Sequence, residues 1–302
     1  MHQLAQAYEK ADWAEGRINR LKRYRAVAAA ATFGGTMTEI RERRGVFGEA
    51  VDAYEAARPG YPSELVNDVL AYARLGNAPV LEVGAGTGKA SIAFADRALD
   101  LTCIEPDERM AAALTRVCAP YPRTAVVVSG FEQWRPPAGR FGLLFSAQAW
   151  HWVDPASRWT LAFDALRPGG TIALFWNQFG VRDTAVGTAL TEAHARHDAA
   201  ELAPETLGTA ELAAADPAPA WPLTDLLDDD RYVDAETRRY RAQHSFTRDR
   251  YLDLLASISA YRMLPDSRRK PLFAEVAQAL DEQGGSFQLE TETHLYLARS
   301  RA

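Results

Sequence analysis

The chain has 302 residues, 47% of them hydrophobic and 25% charged, which is enough apolar material to bury a large core and excludes a disordered polymer. Its 34 basic residues against 40 acidic ones give a formal net charge of -6, so there is no broad cationic surface and nucleic acid is not an expected partner. No apolar run approaches the roughly 20 residues that span a bilayer, and two cysteines, Cys103 and Cys118, without metal-ligand spacing fit a reducing cytoplasm and no membrane partner.

Residues 1–36 hold a basic stretch, Arg17 to Arg25, and an alanine run, Ala26 to Ala31, but lack a long apolar core and a cleavage site, while Glu9, Asp12 and Glu15 break the acid-poor pattern of a transit peptide. They read as an N-terminal extension, with Met37 opening the main domain, 37–302. Val46, Phe47, Ala50, Val51 and Tyr54 then recur at helical spacing. Arg58-Pro59-Gly60-Tyr61-Pro62 breaks that helix, and Ser63 can cap the next, whose Leu65, Val66, Val69 and Leu70 form an apolar stripe.

The most informative segment follows. Val80-Leu81-Glu82-Val83 is an apolar strand that runs into Gly84-Ala85-Gly86-Thr87-Gly88-Lys89, where alternate glycines permit positive φ and close backbone approach by a ligand. A dinucleotide fingerprint would need glycine where Lys89 stands, and a phosphate-binding P-loop would need glycine at Val83 and Ser or Thr at Ala90. Neither fits, and acidic Glu82 suits a cationic ligand instead. Roughly twenty residues after the first glycine, the spacing to a ribose-binding acid in a βαβ nucleotide fold, the strand Leu101-Thr102-Cys103-Ile104 ends in Glu105-Pro106-Asp107.

Further strands precede chemically distinctive turns: Val126-Val127-Val128 before Gly130-Phe131-Glu132, Leu143-Leu144-Phe145-Ser146 before Gln148-Ala149-Trp150-His151-Trp152, and Thr171 to Phe175 after Leu166-Arg167-Pro168-Gly169-Gly170. Beyond Asn177 a helical stretch to about Ala200 is expected, then an Ala, Pro and acid-rich segment through Asp230, so that about 180–235 reads as an insertion or lid. Tyr240 to Phe246 and Phe287 to Ala298 alternate as strands, separated by helices around Tyr251 to Ser259 and Arg268 to Gln283.

Taken together, these motifs resemble the class I S-adenosylmethionine-dependent methyltransferases over roughly 45–298. The Gln148-to-Trp152 segment and the Arg58-to-Pro62 loop look most similar to type 11, trans-aconitate methyltransferase-like enzymes. The resemblance implies an α/β fold with a doubly wound, mostly parallel seven-stranded sheet and helices on both faces, one strand antiparallel. It implies S-adenosylmethionine as cofactor and a small-molecule acceptor, with oxygen slightly favoured as the methylated atom. Gly84, Ala85 and Gly86 would approach the methionine part, Glu82 its ammonium and Arg58 its carboxylate. Glu105 would take the ribose hydroxyls, Pro106 and Met110 the adenine face, and Gln148, near the strand end, would contact the cofactor. Gly130 stands where many relatives carry an adenine-binding aspartate, which leaves adenine to backbone groups around Phe131, with Glu132 as a substitute.

His151 is the catalytic candidate, since a neutral imidazole can take a proton from an acceptor hydroxyl. Pocket lining or a structural hydrogen bond is the competing role. Trp150, Trp152 and Trp176 can wall an acceptor pocket or simply fill the core. His194 and His197 lie one helical turn apart without a third ligand, so no metal is expected. Two other functions compete with methyl transfer: a noncatalytic S-adenosylmethionine-binding regulatory module, and a nicotinamide oxidoreductase, which Lys89 opposes.

Overall fold

The computed structural model describes residues 57–136, 138–203 and 221–301. The extension 1–36 and the helix expected over 46–54 lie outside the described residues. Seven strands, β1 (Val80–Val83), β2 (Leu101–Glu105), β3 (Thr124–Val128), β4 (Phe141–Ala147), β5 (Leu166–Val181), β6 (Tyr232–Thr247) and β7 (Ser286–Ser300), form one sheet in the order β3-β2-β1-β4-β5-β7-β6. β1 to β5 run parallel, and β7 is antiparallel to both of its neighbours. This is the doubly wound, mostly parallel sheet that the sequence implies.

Both faces are covered, which is why β1 and β4 read as nearly continuous apolar runs. On one face, α1 (Ser63–Ala73), α2 (Lys89–Ala95) and α3 (Glu108–Cys118) bury Leu65, Val69, Phe94 and Leu114 against Val80, Leu101, Phe145 and Phe175. Phe94 and Phe145 stack with ring centroids 4.0 Å apart, and Phe175 continues the stack at 6.1 Å from Phe145. On the other face, α4 (Arg158–Ala165) and α6 (Leu223–Asp228) bring Ala162, Ala165 and Leu226 onto Leu81, Ile104, Leu144 and Leu174. Side-chain caps start several helices: Asp107 accepts from Arg109 N and Met110 N at α3. At α1 the capping expectation fails, because Pro62 occupies the cap position and Ser63 is the first helical residue.

The strand boundaries in the C-terminal half also depart from expectation. β5 does not yield to helix at Asn177 but continues to Val181, and β6 begins at Tyr232 rather than Tyr240. The reason is pairing: Asn177 to Val181 lie opposite Thr293 to Leu289 of β7, and Phe179 and Val181 are buried by a second helical layer. That layer comprises α5 (Thr184–Arg196), α7 (Arg248–Ala256), α8 (Ser259–Arg262) and α9 (Asp266–Glu282), whose Leu190, Leu254, Tyr261 and Val276 meet Phe246, Phe287 and Leu289 of the strands. The expected lid segment thus contributes the end of β5, α5, α6 and the start of β6 among its described residues, while 204–220 lie outside them. Among the described residues, no helix is long and apolar enough to cross a membrane.

Phe145 lies at the centre of the aromatic stack and is fully buried. Phe145→Ala is expected to cost about 3–5 kcal/mol in chemical denaturation, whereas Val128→Ala, at a position 55% exposed, is expected to change stability by no more than about 0.5 kcal/mol.

Candidate functional site

Strand order reverses between β1 and β4, and ligands of open α/β sheets sit outside the carboxyl ends of the strands at such a switch point. The glycine turn leaves β1 there. Gly84, Gly86 and Gly88 all have positive φ, at 72°, 59° and 99°, but their surroundings separate their duties. A Cβ on Gly84 would lie 2.4 Å from Ala149 Cβ in the loop after β4. A Cβ on Gly88 would lie 2.8 Å from Val117 Cγ2 and 3.0 Å from Leu114 Cδ1 of α3. Packing within the protein therefore already demands both of these glycines. At Gly86 the nearest atom is Met110 Cε, 3.6 Å away, so backbone conformation is what requires glycine there.

Glu105 closes this turn. One carboxylate oxygen accepts from Gly86 N at 2.8 Å and the other from Asp107 N at 2.9 Å. Both oxygens thus accept backbone N–H groups at the carboxyl end of β2. Met110 is buried beside Gly86, Ala85 is buried in the turn, and Pro106 is exposed at the strand end. Phe131 is buried with its ring centroid 6.1 Å from that of Trp150. Glu132 accepts from Asp154 N at 3.0 Å, which ties the turn after β3 to the segment after His151.

Glu82 occupies a different setting from the one its sequence position implies. It is fully buried on the α2 face, where its carboxyl accepts from Ser91 Oγ at 2.5 Å and lies 3.3 Å from Cys103 Sγ. Its other oxygen, Oε1, is buried without a hydrogen-bond partner. Burial pushes the carboxyl up to about 8, with Glu105 adding to the rise. Glu82 is accordingly neutral at pH 7 and supports the turn from behind. The acidic character of the mouth is left to Glu105.

A narrow cleft opens beside the turn, lined by Arg58, Pro59, Tyr61, Lys89, Gln148, Asn177 and Phe179. Arg58 reaches across it, donating from Nε to Ser257 Oγ and from Nη2 to Ser257 O, both at 3.0 Å, so the loop before α1 is tied to the second helical layer. Gln148 adopts φ 61°, a left-handed conformation uncommon outside glycine, and its side chain donates to Asn177 O at 3.2 Å. Backbone strain of this kind persists where the surroundings over-determine it and clusters at ligand sites. Asn177 was not singled out by sequence, yet it is 8% exposed, faces the Pro59 and Gly60 carbonyls from its Nδ2, and accepts from Thr293 Oγ1 at 2.6 Å. Its one sequence signal is an amide at the point where an apolar strand ceases to look apolar.

His151 does not line that cleft. It sits in a short 3-10 turn, Trp150–Trp152, with its ring centroid 4.6 Å from Trp152, and its Nδ1 accepts from Trp176 Nε1 at 3.3 Å. Burial, with Arg158 and Arg58 nearby, pushes the imidazole down to about 3. The ring is neutral at physiological pH but far too weak a base for the proton-accepting role expected of an imidazole near 6.5. Trp150 is fully buried core, whereas Trp176 meets Trp221 at 5.3 Å and Tyr296 at 6.0 Å. Arg158 lies over Trp221 at 4.9 Å, and Asp225 accepts from Arg158, Trp159 and Trp221. His194 is structural, bonded at Nδ1 to Leu190 O and at Nε2 to Tyr261 Oη.

Residues 80–170 match a family model described as a methyltransferase domain. They contain the glycine turn, Glu105 and the His151 turn. Residues 80–170 thus carry a methyltransferase domain. Uncharacterized methyltransferases of Mycobacterium bovis and Mycobacterium tuberculosis are 39% identical to it over 142 residues, 47% of this chain and 54% of each relative. The chain thus matches about half the length of these curated relatives. A solved chain from Anaeromyxobacter dehalogenans, provisionally designated a type II methyltransferase, is 21% identical, with a TM-score of 0.54 over 80% of this chain and 97% of its own. That likeness shows the shared fold of the methyltransferase domain.

Glu82 makes a measurable demand on this domain. The folded state keeps its proton up to about pH 8, whereas an ordinary glutamate releases it near 4.5. Between those values the native state binds more protons than the unfolded state, so this group makes stability fall as pH rises. Glu82→Gln is expected to flatten that decline, gaining about 2 kcal/mol or more at pH 8.5 relative to pH 5 when denaturation midpoints of both proteins are compared. A parallel decline in the two proteins is the contrary result.

Proposed function

We propose that the chain transfers a methyl group from S-adenosylmethionine to a small-molecule acceptor in the cytoplasm, with oxygen as the receiving atom. The observation that carries this reading is Glu105, which stands at the carboxyl end of β2 with one oxygen on Gly86 N of the glycine turn and the other on Asp107 N. The donor set fits the cofactor: a carboxylate for vicinal hydroxyls, positive-φ backbone in place of side chains at Gly84 to Gly86, and the buried Met110 beside them. S-adenosylmethionine, when bound, supplies a methyl group already activated on a sulfonium.

The protein's part is then to hold and orient. In this reading Glu105 takes the ribose hydroxyls, Pro106, Met110 and the backbone at Phe131 flank adenine, and Gly84, Ala85 and Gly86 border the methionine part. Arg58 and Lys89, both in the cleft, attract its carboxylate, and Gln148 faces the reactive end. Glu82 holds the turn rather than the ligand. The acceptor side lies toward Trp152, Trp176 and Trp221, where aromatic faces exclude water. Alignment of two bound reactants can supply up to about 7–11 kcal/mol of a barrier, so a weakly basic site is no obstacle. The region 37–302 acts as the methyltransferase domain in this scheme. The Arg58 to Ser257 link ties the loop at the cleft to the helical layer of α5 and α7 to α9. A noncatalytic binding module is not favoured, since the relatives are designated methyltransferases.

Calorimetric titration with S-adenosylmethionine, S-adenosylhomocysteine and NADH tests the reading. Both adenosyl ligands are expected to bind and NADH to fail. Glu105→Ala is expected to weaken adenosyl binding at least about tenfold, since one charge-assisted hydrogen bond contributes about 1.5–3 kcal/mol. Preference for NADH, or unchanged affinity in the variant, overturns it.

A further inference from the structure

We propose that a second cavity, between the carboxyl end of α1 and the edge strand β6, binds a small oxyanion, a phosphate or carboxylate group, with Arg74 as its principal contact. The proposal does not rest on the methyltransferase reading.

The cavity has a volume of about 400 Å³, within the roughly 300–1,000 Å³ of small-molecule sites. Its walls come from three parts of the chain: Tyr72 of α1 with Arg74 just beyond it, Asp234, Glu236 and Arg238 of β6, and Arg299 of β7. It lies away from the cleft beside the glycine turn. Arg299 pairs with Thr171 in the sheet, whereas the cleft is lined by Asn177, further along β5. At roughly 3.3 Å per residue, that separation along the strand is about 20 Å.

Two of the three arginines are held in place by partners. Arg238 pairs with Asp68 of α1 at 3.0 Å and with Glu236 at 2.7 Å. Arg299 lies over the Tyr72 ring at 4.3 Å, donates from Nη2 to Tyr72 O and reaches Asp234 at 3.9 Å. Arg74 differs, since among the described residues its guanidinium has no hydrogen-bond or ion-pair partner. Such a group presents a planar fork of donors that matches two oxygens of a carboxylate or phosphate.

The carboxyl end of a helix ordinarily repels an anion through its unpaired carbonyls. Here those carbonyls are occupied: Leu70 O accepts from Arg74 N at 3.2 Å, Tyr72 O from Arg299, and Leu75 O from Arg167 Nη2 at 3.2 Å. Asp234 and Glu236 share the cavity, but each faces an arginine. With Asp68 behind Arg238, the acids and the arginines balance, so affinity comes from direct contact at Arg74 and not from a long-range field.

The test is titration of the full chain labelled with nitrogen-15 arginine, observed at the side-chain Nε–H resonances, with inorganic phosphate in one series and succinate in another at constant ionic strength. Arg74, Arg299 and the exposed Arg123 are assigned by the loss of their resonances in Arg74→Gln, Arg299→Lys and Arg123→Gln. At least one of the two ions is expected to shift Arg74 and Arg299 saturably, with a half-point at or below about 1 mM, while Arg123 stays still. In Arg74→Gln the half-point read at Arg299 is expected to rise at least about tenfold. A response to phosphate alone assigns a phosphoryl ligand, and a response to succinate alone assigns a carboxylate. Shifts that are absent, that do not saturate, that appear equally at Arg123, or that persist unchanged in Arg74→Gln overturn the proposal. Because no adenosyl ligand is present, this result and the outcome of the cofactor titration are separate.

Discussion

The reversal of strand order between β1 and β4 is the constraint on which the site depends. Neighbouring parallel strands send their connections in opposite directions at that point, and a crevice opens between the departing loops. The loops must nevertheless touch at its base. Gly84 permits this by having no Cβ to strike Ala149, and Ser146 Oγ donates to Val83 O at 2.8 Å just below. A larger residue at Gly84 would separate the glycine turn from the Gln148 to Trp152 segment. The cofactor-side and acceptor-side groups would then no longer share one geometry.

The second consequence is a division of labour among buried polar groups. The turn is held from outside by Glu105, whose two oxygens collect backbone N–H groups, and from behind by Glu82, whose carboxyl accepts from Ser91. These acids are 23 residues apart in sequence, and Glu82, enclosed and lifted to about 8, is neutral at pH 7. A buried carboxyl with an unpaired oxygen destabilises the fold to a degree that rises with pH. Its hydrogen bond with α2 is the compensating gain, since it fixes the helix that begins at Lys89.

Much of this was legible in the sequence because parallel strands buried on both faces leave short apolar runs that end in turn residues. Val80 to Val83 and Leu101 to Glu105 could be placed, and with them the glycine turn and Glu105. The C-terminal strands were harder. β6 carries Glu236, Arg238, Arg239 and Arg241; Arg238 pairs with Asp68 of α1, and Arg239 and Arg241 pair with the buried Glu292 of β7, so the polar pattern concealed the part of the strand before Tyr240. Likewise Asn177 looked like a terminus, although its side chain joins the Pro59–Gly60 backbone to Thr293. Residue type singled out Glu82 and His151, but not the surroundings that set their charge states. Those states follow from burial in both cases, with Glu105 adding to the rise at Glu82 and Arg158 and Arg58 opposing a proton on His151.

Charge then gives the cleft a polarity. With Glu82 neutral, the charged groups around the glycine turn are Glu105, which accepts from Gly86 N, and the cleft-lining Arg58 and Lys89. They are held by separate elements, Glu105 by the end of β2, Arg58 by the loop before α1 and Lys89 by the start of α2. An elongated ligand with hydroxyls at one end and a carboxylate at the other is oriented by such a field before any close contact forms. His151, kept neutral between its tryptophans, adds no charge to the cationic end. Its Nδ1 accepts from the indole of Trp176, which ties the turn after β4 to β5.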